Sequence, residues 1–377
     1  MADARSAYAD AGVDVAAGEL AVDLLRQRIA PMDILGRLGG FGAAIPLPPG
    51  LREPVLVSAT DGVGTKLEIA RRMGRLDTVG RDLVAMCADD VVCHGARPWF
   101  FLDYVAVGRL VPERIAALVG GVADGCAECG CALVGGETAE HPGVMPDDAF
   151  DLAGFCVGIV ERDAILDGRA VREGDAIVGI ASSGLHANGF SLVRALLDRH
   201  RLEVTDPYAE VLGRWLGRDA TRGLEATAVA PESAVTPATL GDVLLAPTRI
   251  YAGHLLALRE ELETRGLRLG GLAHVTGGGL AGNLPRAVPE GLAVVVDPGA
   301  WPEDAIFGLM AALGDLSGPE LRRIFNCGIG MAVVVEPDAV EPALTWLGEA
   351  GLPAWAIGRV VAGAVDGAGG RYAEAGT

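Results

Sequence analysis

The residues best suited to chemistry are carboxylates set among glycines. In Asp61-Gly62-Val63-Gly64-Thr65-Lys66 a carboxylate precedes two glycines and a lysine. Glycines let backbone amides approach a ligand, a carboxylate shares Mg²⁺ with phosphate oxygens, and a lysine offers phosphates a point charge. The segment reads either as a corner for nucleotide phosphate and metal or as an ordinary glycine turn with a surface lysine. It is not a Walker A loop, whose Gly-x-x-x-x-Gly-Lys-[Ser/Thr] spacing is absent.

Further carboxylates follow at Asp82, Asp89 and Asp90. On a helix, Asp82 and Asp89 share a face, while Asp90 is turned by about 100° from Asp89. Burying three carboxylates on one short apolar helix is costly, so either the face is solvated or a cation offsets the charge. Gly135-Gly136-Glu137-Thr138-Ala139-Glu140 follows the apolar run 131–134, which puts Glu137 just past a strand's carboxyl end, where α/β folds hold ligands. A glutamate turned to solvent is the plainer alternative. The loop 182–189 presents Ser182, Ser183, His186 and Asn188 with free backbone amides at a helix start, and reads as an anion site. His274 followed by Thr276-Gly277-Gly278-Gly279 repeats the idea more weakly, since a lone histidine is more often structural.

These groups need elements to position them. Residues 55–59 read as a buried strand, 82–94 as a helix, 99–107 as a strand, 112–128 as a helix, and 131–134 and 152–160 as strands. A polar stretch over 167–175 suggests a joint near Gly168, giving domains 1–168 and 169–377. Beyond it, 176–181 reads as a strand and 190–197 as the start of a helix. A second helix opens within 244–249 and runs to about 261, and 340–350 is a third. Strands are expected at 272–275, 292–296, 330–335 and 355–361, while 201–237 is hard to read and the small polar tail 363–377 is expected to fray. Strands alternating with helices imply an α/β, layered α+β fold.

The 377 residues exceed what one core usually fills, and the 54 glycines fall in clusters without a strict repeat. A formal charge of −19 argues against nucleic acid, which needs a basic face. The first residues resemble no secretory signal, and no run approaches about 18 uncharged apolar residues, so no membrane partner is expected and the cytoplasm is the default location. Seven cysteines suit a reducing compartment, and Cys126, Cys129 and Cys131 read as buried thiols in preference to a zinc site.

Taken together, Leu38-Gly39-Gly40-Phe41-Gly42, the 60–66 segment, Asp82-Leu83-Val84-Ala85-Met86-Cys87, the 135–140 segment, Ser182-Ser183-Gly184 with His186 and Asn188-Gly189, Leu245-Ala246-Pro247-Thr248-Arg249-Ile250-Tyr251, His274-Val275-Thr276-Gly277-Gly278-Gly279 and Phe325-Asn326-Cys327-Gly328-Ile329-Gly330-Met331 resemble, in this order, the phosphoribosylformylglycinamidine cyclo-ligase family. The resemblance implies a two-domain aminoimidazole ribonucleotide synthetase-like fold, with the first domain's sheet completing a barrel across a homodimer and an α/β second domain. It implies ATP and Mg²⁺ as cofactors, leaves K⁺ open, and makes formylglycinamidine ribonucleotide the substrate of an ATP-driven ring closure. By the same resemblance Asp61, Asp90 and Glu137 are candidate metal ligands. Gly39, Gly40, Gly42, Gly62, Gly64, Thr65 and Lys66 are candidates for nucleotide phosphate. Ser183, Gly184, His186, Asn188, Thr276 and Gly277 are candidates for substrate, and Lys66, His186 and His274 for catalysis. Asp89 stands where the family commonly has Asn, and Ala187 where it has Ser. Selenophosphate synthetase shares the fold but would show a reactive Cys near its start, and no Cys precedes Cys87.

Overall fold

Pro54–Gly62 (β1), Arg97–Val107 (β2), Ala132–Glu140 (β3) and Phe150–Glu161 (β4) form one sheet in the order β1-β4-β2-β3. The computed structural model describes residues 42–217, 238–365 and 370–375, together with Leu20. β4 runs antiparallel to β1 and β2, and β2 runs parallel to β3. The helices Asp77–Val92 (α2) and Pro112–Glu128 (α3) cover one face of this sheet, with Lys66–Met73 (α1) at its edge. α2 and α3 touch backbone to backbone: a Cβ on Gly80 would lie 2.4 Å from the Val122 nitrogen, and one on Gly121 would lie 2.0 Å from the Asp77 carbonyl oxygen. Only glycine permits that approach.

The second sheet takes the order β10-β7-β9-β5-β8-β6. Its strands are Ala176–Ala181 (β5), Leu269–His274 (β6), Leu292–Val296 (β7), Ile329–Val335 (β8), Ala354–Ala362 (β9) and Tyr372–Glu374 (β10). β5, β6 and β8 are Val-, Ile- and Leu-bearing runs buried along most of their length, as expected for strands covered on both faces. The helices added here are Phe190–His200 (α4), Tyr208–Trp215 (α5), Leu240–Leu244 (α6), Ala252–Thr264 (α7), Gly279–Asn283 (α8), Ala305–Gly314 (α9), Gly318–Ile324 (α10) and Val340–Glu349 (α11). One apolar core runs without a break from Leu83 and Phe101 beneath the first sheet, through Tyr251 and Leu255, to Met331 and Leu347 in the second half. A smaller core, around Leu284, Val294 and Ile357, fills the other face of the second sheet.

Several elements differ from the sequence reading. β1 is a half-exposed edge strand, not a buried one, with Leu56 57% exposed. β3 continues to Glu140, so Glu137 lies inside the strand and not beyond its end. The helix expected to open within 244–249 begins only at Ala252, because residues 246–251 form no regular element and are hydrogen-bonded to the carboxylates of α2. Within the tail expected to fray, Tyr372–Glu374 instead forms β10, locked by a bidentate Arg322–Glu374 pair at 2.6–2.8 Å, while 366–369 and 376–377 lie outside the described residues. The last 20 residues of the hard-to-read segment, 218–237, lie outside the described residues.

A solvated face does not account for Asp82 and Asp89, and for Asp82 the offsetting cation is a lysine ammonium. They share one face of α2, as their spacing requires, and both are fully buried against residues 246–252. The ammonium of Lys66, also fully buried, lies 2.9 Å from each Asp82 oxygen and donates to the Ala246 carbonyl at 2.7 Å. Thr248 donates its N–H at 2.7 Å and its hydroxyl at 2.6 Å to the same carboxylate. One helical repeat on, Asp89 accepts the Tyr251 N–H at 2.9 Å at the start of α7. Burial lifts the Asp89 carboxyl to about 7, against the pull of His274 and the amides of Tyr251 and Ala252.

Truncating one partner of a buried pair leaves the other charge uncompensated, so Lys66→Met is expected to cost about 3–5 kcal/mol. The double variant Lys66→Met/Asp82→Leu should recover at least half of that loss in urea unfolding. Equal losses in the single and double variants would contradict the pairing account.

Candidate active site

The strand-loop-helix units ending β1 and β5 face one another. Asp61, Gly62, Val63, Gly64 and Thr65 from the first, and Ala187, Asn188, Gly189 and Ser191 from the second, line a cavity of about 540 Å³ floored by Met86. The Thr65 and Ser191 hydroxyls meet at 3.1 Å across it. Gly277 stands next to this group, since a Cβ there would sit 3.5 Å from Asn188 Oδ1. Three of the glycine-bearing segments singled out by composition thus converge. Loop amides beside hydroxyls and a carboxamide suit a run of phosphates.

The Ser182–Gly189 loop is held from below. Ser182 donates its N–H to Gly328 at 2.8 Å, and the Asn326 side chain donates to the Gly184 carbonyl at 2.9 Å. Gly189 has φ 81°, and a Cβ there would strike the Phe325 ring at 2.3 Å. His186 belongs to this scaffold and not to the cavity wall. It is 2% exposed, adopts φ 61°, and accepts the Ser183 N–H on Nε2 at 3.1 Å. Burial, together with the charges of His274, Lys66 and Arg249, holds it well below the ordinary histidine range, so it is neutral. Ser183 donates to the Pro247 carbonyl at 2.6 Å. Of the residues read as substrate contacts, Asn188 lines the cavity, Gly277 stands next to Asn188 without lining it, and Ser183, Gly184 and His186 support it. Lys66 is likewise turned inward to Asp82, so its ammonium is not presented to phosphate.

On the other side of the β1 end lies a second cavity of about 450 Å³, lined by Ser58, Thr60, Asp90, His94, His274 and Arg286 among others. His274 Nδ1 lies 2.9 Å from Asp90 Oδ1, and its buried Nε2 has no partner. Thr276 donates to Asn283 Oδ1 at 3.4 Å, while the Asn283 amide donates to the carbonyls of Gly277 and Gly279 at 3.2 and 2.9 Å, closing the glycine turn. Asn283, Asn326, Arg286 and the bracing segment 245–251 escaped functional assignment from sequence. Their signal was present only as an Asn or Arg near a glycine run, which is common in any turn.

The three carboxylates read as metal ligands do not all meet. Asp61 and Asp90 are close enough to influence one another: burial first, then the Asp90 charge, raises the Asp61 carboxyl above its ordinary value. Glu137 sits on the far edge. The register Gly62–Ala153–Tyr104–Glu137 puts two strands between them, about 14 Å at the usual strand spacing. Among the described residues no group of three His, Cys, Asp or Glu side chains is arranged to hold a metal. Cys126, Cys129 and Cys131 are buried free thiols. Gly42 is exposed and lines neither cavity, and Gly39 and Gly40 lie outside the described residues.

Residues 48–160 match the family model of the AIR synthase related protein, N-terminal domain, and residues 172–369 that of the C-terminal domain. The chain is 46% identical over 359 residues to a phosphoribosylformylglycinamidine cyclo-ligase of Pseudothermotoga lettingae, covering 94% of this chain and 97% of that protein. It is 46% identical over 373 residues to the enzyme of the same name from Cyanothece sp., covering 95% and 97%. Among solved structures it resembles thiamine-monophosphate kinase from Stenotrophomonas maltophilia, with TM-score 0.61, 19% identity and coverage of 95% and 96%. A hydrogenase maturation protein HypE in complex with ATP matches with TM-score 0.61, 19% identity and coverage of 97% and 94%. At that identity the two structures attest the fold alone.

The strand carrying Glu137 is shaped by another carboxylate. Asp103 in β2 is 8% exposed, and a Cβ on Gly136 would fall 1.8 Å from its Oδ1, so position 136 has room only for glycine. Burial lifts the Asp103 carboxyl to about 7, against about 3.9 in an unfolded chain. With the folded value raised, the stability contribution is fully present below pH 4 and is lost as pH rises through 7. Asp103→Asn should therefore gain relative to the parent between pH 4 and 7, by up to about 4 kcal/mol, and then level off. Urea unfolding across that range tests this; a parent-variant difference independent of pH would refute it.

Proposed function

From the premise that this chain belongs to the AIR synthase related family, we propose how it works as an ATP-dependent ligase that closes formylglycinamidine ribonucleotide to 5-aminoimidazole ribonucleotide, releasing ADP and phosphate. The observation that carries the reading is the pair of cavities lined by neighbouring residues of β1, one built of phosphate-suited loops, the other holding a carboxylate–imidazole pair. The triphosphate lies over Asp61–Thr65 and Ala187–Ser191, and the formamide of the substrate approaches from the second cavity. Its oxygen attacks the terminal phosphorus, which converts a poor leaving group into phosphate; a substrate nitrogen then attacks the activated carbon, phosphate departs and the nitrogen gives up a proton.

Pre-placed amides and hydroxyls are what such a transfer requires, since catalysis of phosphoryl transfer is mostly positioning and charge stabilisation. His274, with Nδ1 held by Asp90 and its buried Nε2 unpartnered, is the group we assign to take the proton. Asp61 and Asp90 fit Mg²⁺, an ion usually held by one or two carboxylates plus substrate phosphates, and the ion when bound would neutralise charge on those phosphates. Within one chain Glu137 does not join them. His186 and Lys66 act as positioning residues, by shaping the loop and the joint.

The exposed outer face of the first sheet carries Leu56, Tyr104 and Phe155, 57, 42 and 39% exposed, on three adjacent strands. Three large apolar side chains on one face suit cover by a second copy of the chain, which supports a homodimer. No helix among the described residues is long and apolar enough to cross a membrane, in keeping with a cytoplasmic role.

Purified protein mixed with Mg-ATP and formylglycinamidine ribonucleotide should give ADP and aminoimidazole ribonucleotide in equal amounts. Asp61→Asn and Asp90→Ala should each lower kcat by at least about 100-fold with the fold retained by circular dichroism. Near-parental turnover in both would remove the metal assignment. Leu56→Lys should shift sedimentation from dimer to monomer; an unchanged sedimentation coefficient would place the interface elsewhere.

A further inference from the structure

An anionic ribonucleotide entering a protein of formal charge −19 needs a local cation. The first cavity is lined by neither Lys nor Arg, and Arg286 alone among Lys and Arg lines the second. Both acids lining the second cavity already have partners: Asp90 is held by His274, and Asp167 by the Arg169 side chain at 2.5 Å. The remaining titratable groups there are Cys93, a thiol raised by burial, and the exposed His94.

Arg286 is exposed yet fixed in place. It stands in the short turn Leu284–Ala287 after α8, and its Nη1 donates to Asn283 Oδ1 at 3.2 Å. That same carboxamide closes the Thr276–Gly279 turn and is 3% exposed. One hydrogen bond leaves most of a guanidinium's five donors for a ligand, and its planar fork matches phosphate oxygens in pairs. Across the same cavity stands His274, whose buried Nε2 has no hydrogen-bond partner.

We propose that Arg286 anchors the 5′-phosphate of the ribonucleotide substrate, with Asn283 as the residue that positions it. The inference rests on the ring-closure reading above and assigns the substrate's orientation within it. The phosphate end lies at Arg286 and the formamide end points to Asp90 and His274, beside the loop that receives the triphosphate. The about 450 Å³ cavity is within the range that holds a small ligand.

Two readouts separate this idea from the reading it rests on. In steady-state assays of the full chain, Arg286→Ala should raise KM for the ribonucleotide about 30- to 100-fold while KM for ATP stays within about twofold, and Arg286→Lys should recover part of the loss. In calorimetry with ribose 5-phosphate as probe, the parent should bind and Arg286→Ala should lose at least about tenfold in affinity, with unchanged melting temperature as the folding control. Should Arg286→Ala unfold, Arg286→Gln serves in its place. Unchanged ribose 5-phosphate affinity, or equal rises in both KM values, overturns the anchor. A parent that binds ribose 5-phosphate through Arg286 but never turns over the ribonucleotide keeps the anchor and defeats the ring-closure reading.

Discussion

The arrangement depends on a single buried contact set, the Asp82 carboxylate clasped by Lys66 and Thr248. Lys66 follows directly on the Asp61–Thr65 loop, Asp82 belongs to the central helix of the first half, and Thr248 belongs to the second half. A charge that would be ruinous alone is neutralised by an ammonium and two further donors in a fully buried site. Because all three donors approach one carboxylate, the position of the phosphate-facing loop is set against a segment from the other half of the chain. Asp89 and Tyr251 repeat the fastening one helical repeat further along.

From that fastening the cavities follow. Fixing residues 245–251 fixes Pro247, which receives Ser183, and Tyr251 and Arg249, which both donate to the Ala181 carbonyl at the end of β5. The Ser182–Gly189 loop is then held between this segment and the Asn326–Gly328 turn, with His186 as a neutral internal strut. Rigid support of this kind is what allows loop amides to act on charge without first reorganising. The lysine and the histidine thus serve architecture, while a plainer residue such as Asn188 forms the wall.

Much of the fold was legible in the residues because periodicity is a local property. Helix 112–128 and strands 176–181 and 292–296 were read with the bounds observed, since each is bordered by turn-forming residues and has a uniform pattern. The segment 245–251 was misread because its conformation is imposed by carboxylates more than 160 residues away, and the tail because its strand needs β7 and Arg322. The same distinction governs the site. Glycine loops announced themselves, but whether a lysine faces a ligand or an aspartate is decided by the partner, which sequence spacing does not show. The equivalence of Asp61, Asp90 and Glu137 failed for a topological reason, the strand order β1-β4-β2-β3.

The unbroken core that links the two sheets bears on how the protein can move. A hinge requires two bodies whose apolar interiors are separately closed, so that rotation exposes little. Here Tyr251, Leu255 and Phe190 belong to the same interior as Leu83 and Phe101, and swinging the halves apart would wet all of them. Among the described residues a clamshell opening of the two halves is therefore costly, and the glycine turns beside the cavities are where the backbone can shift without wetting this interior.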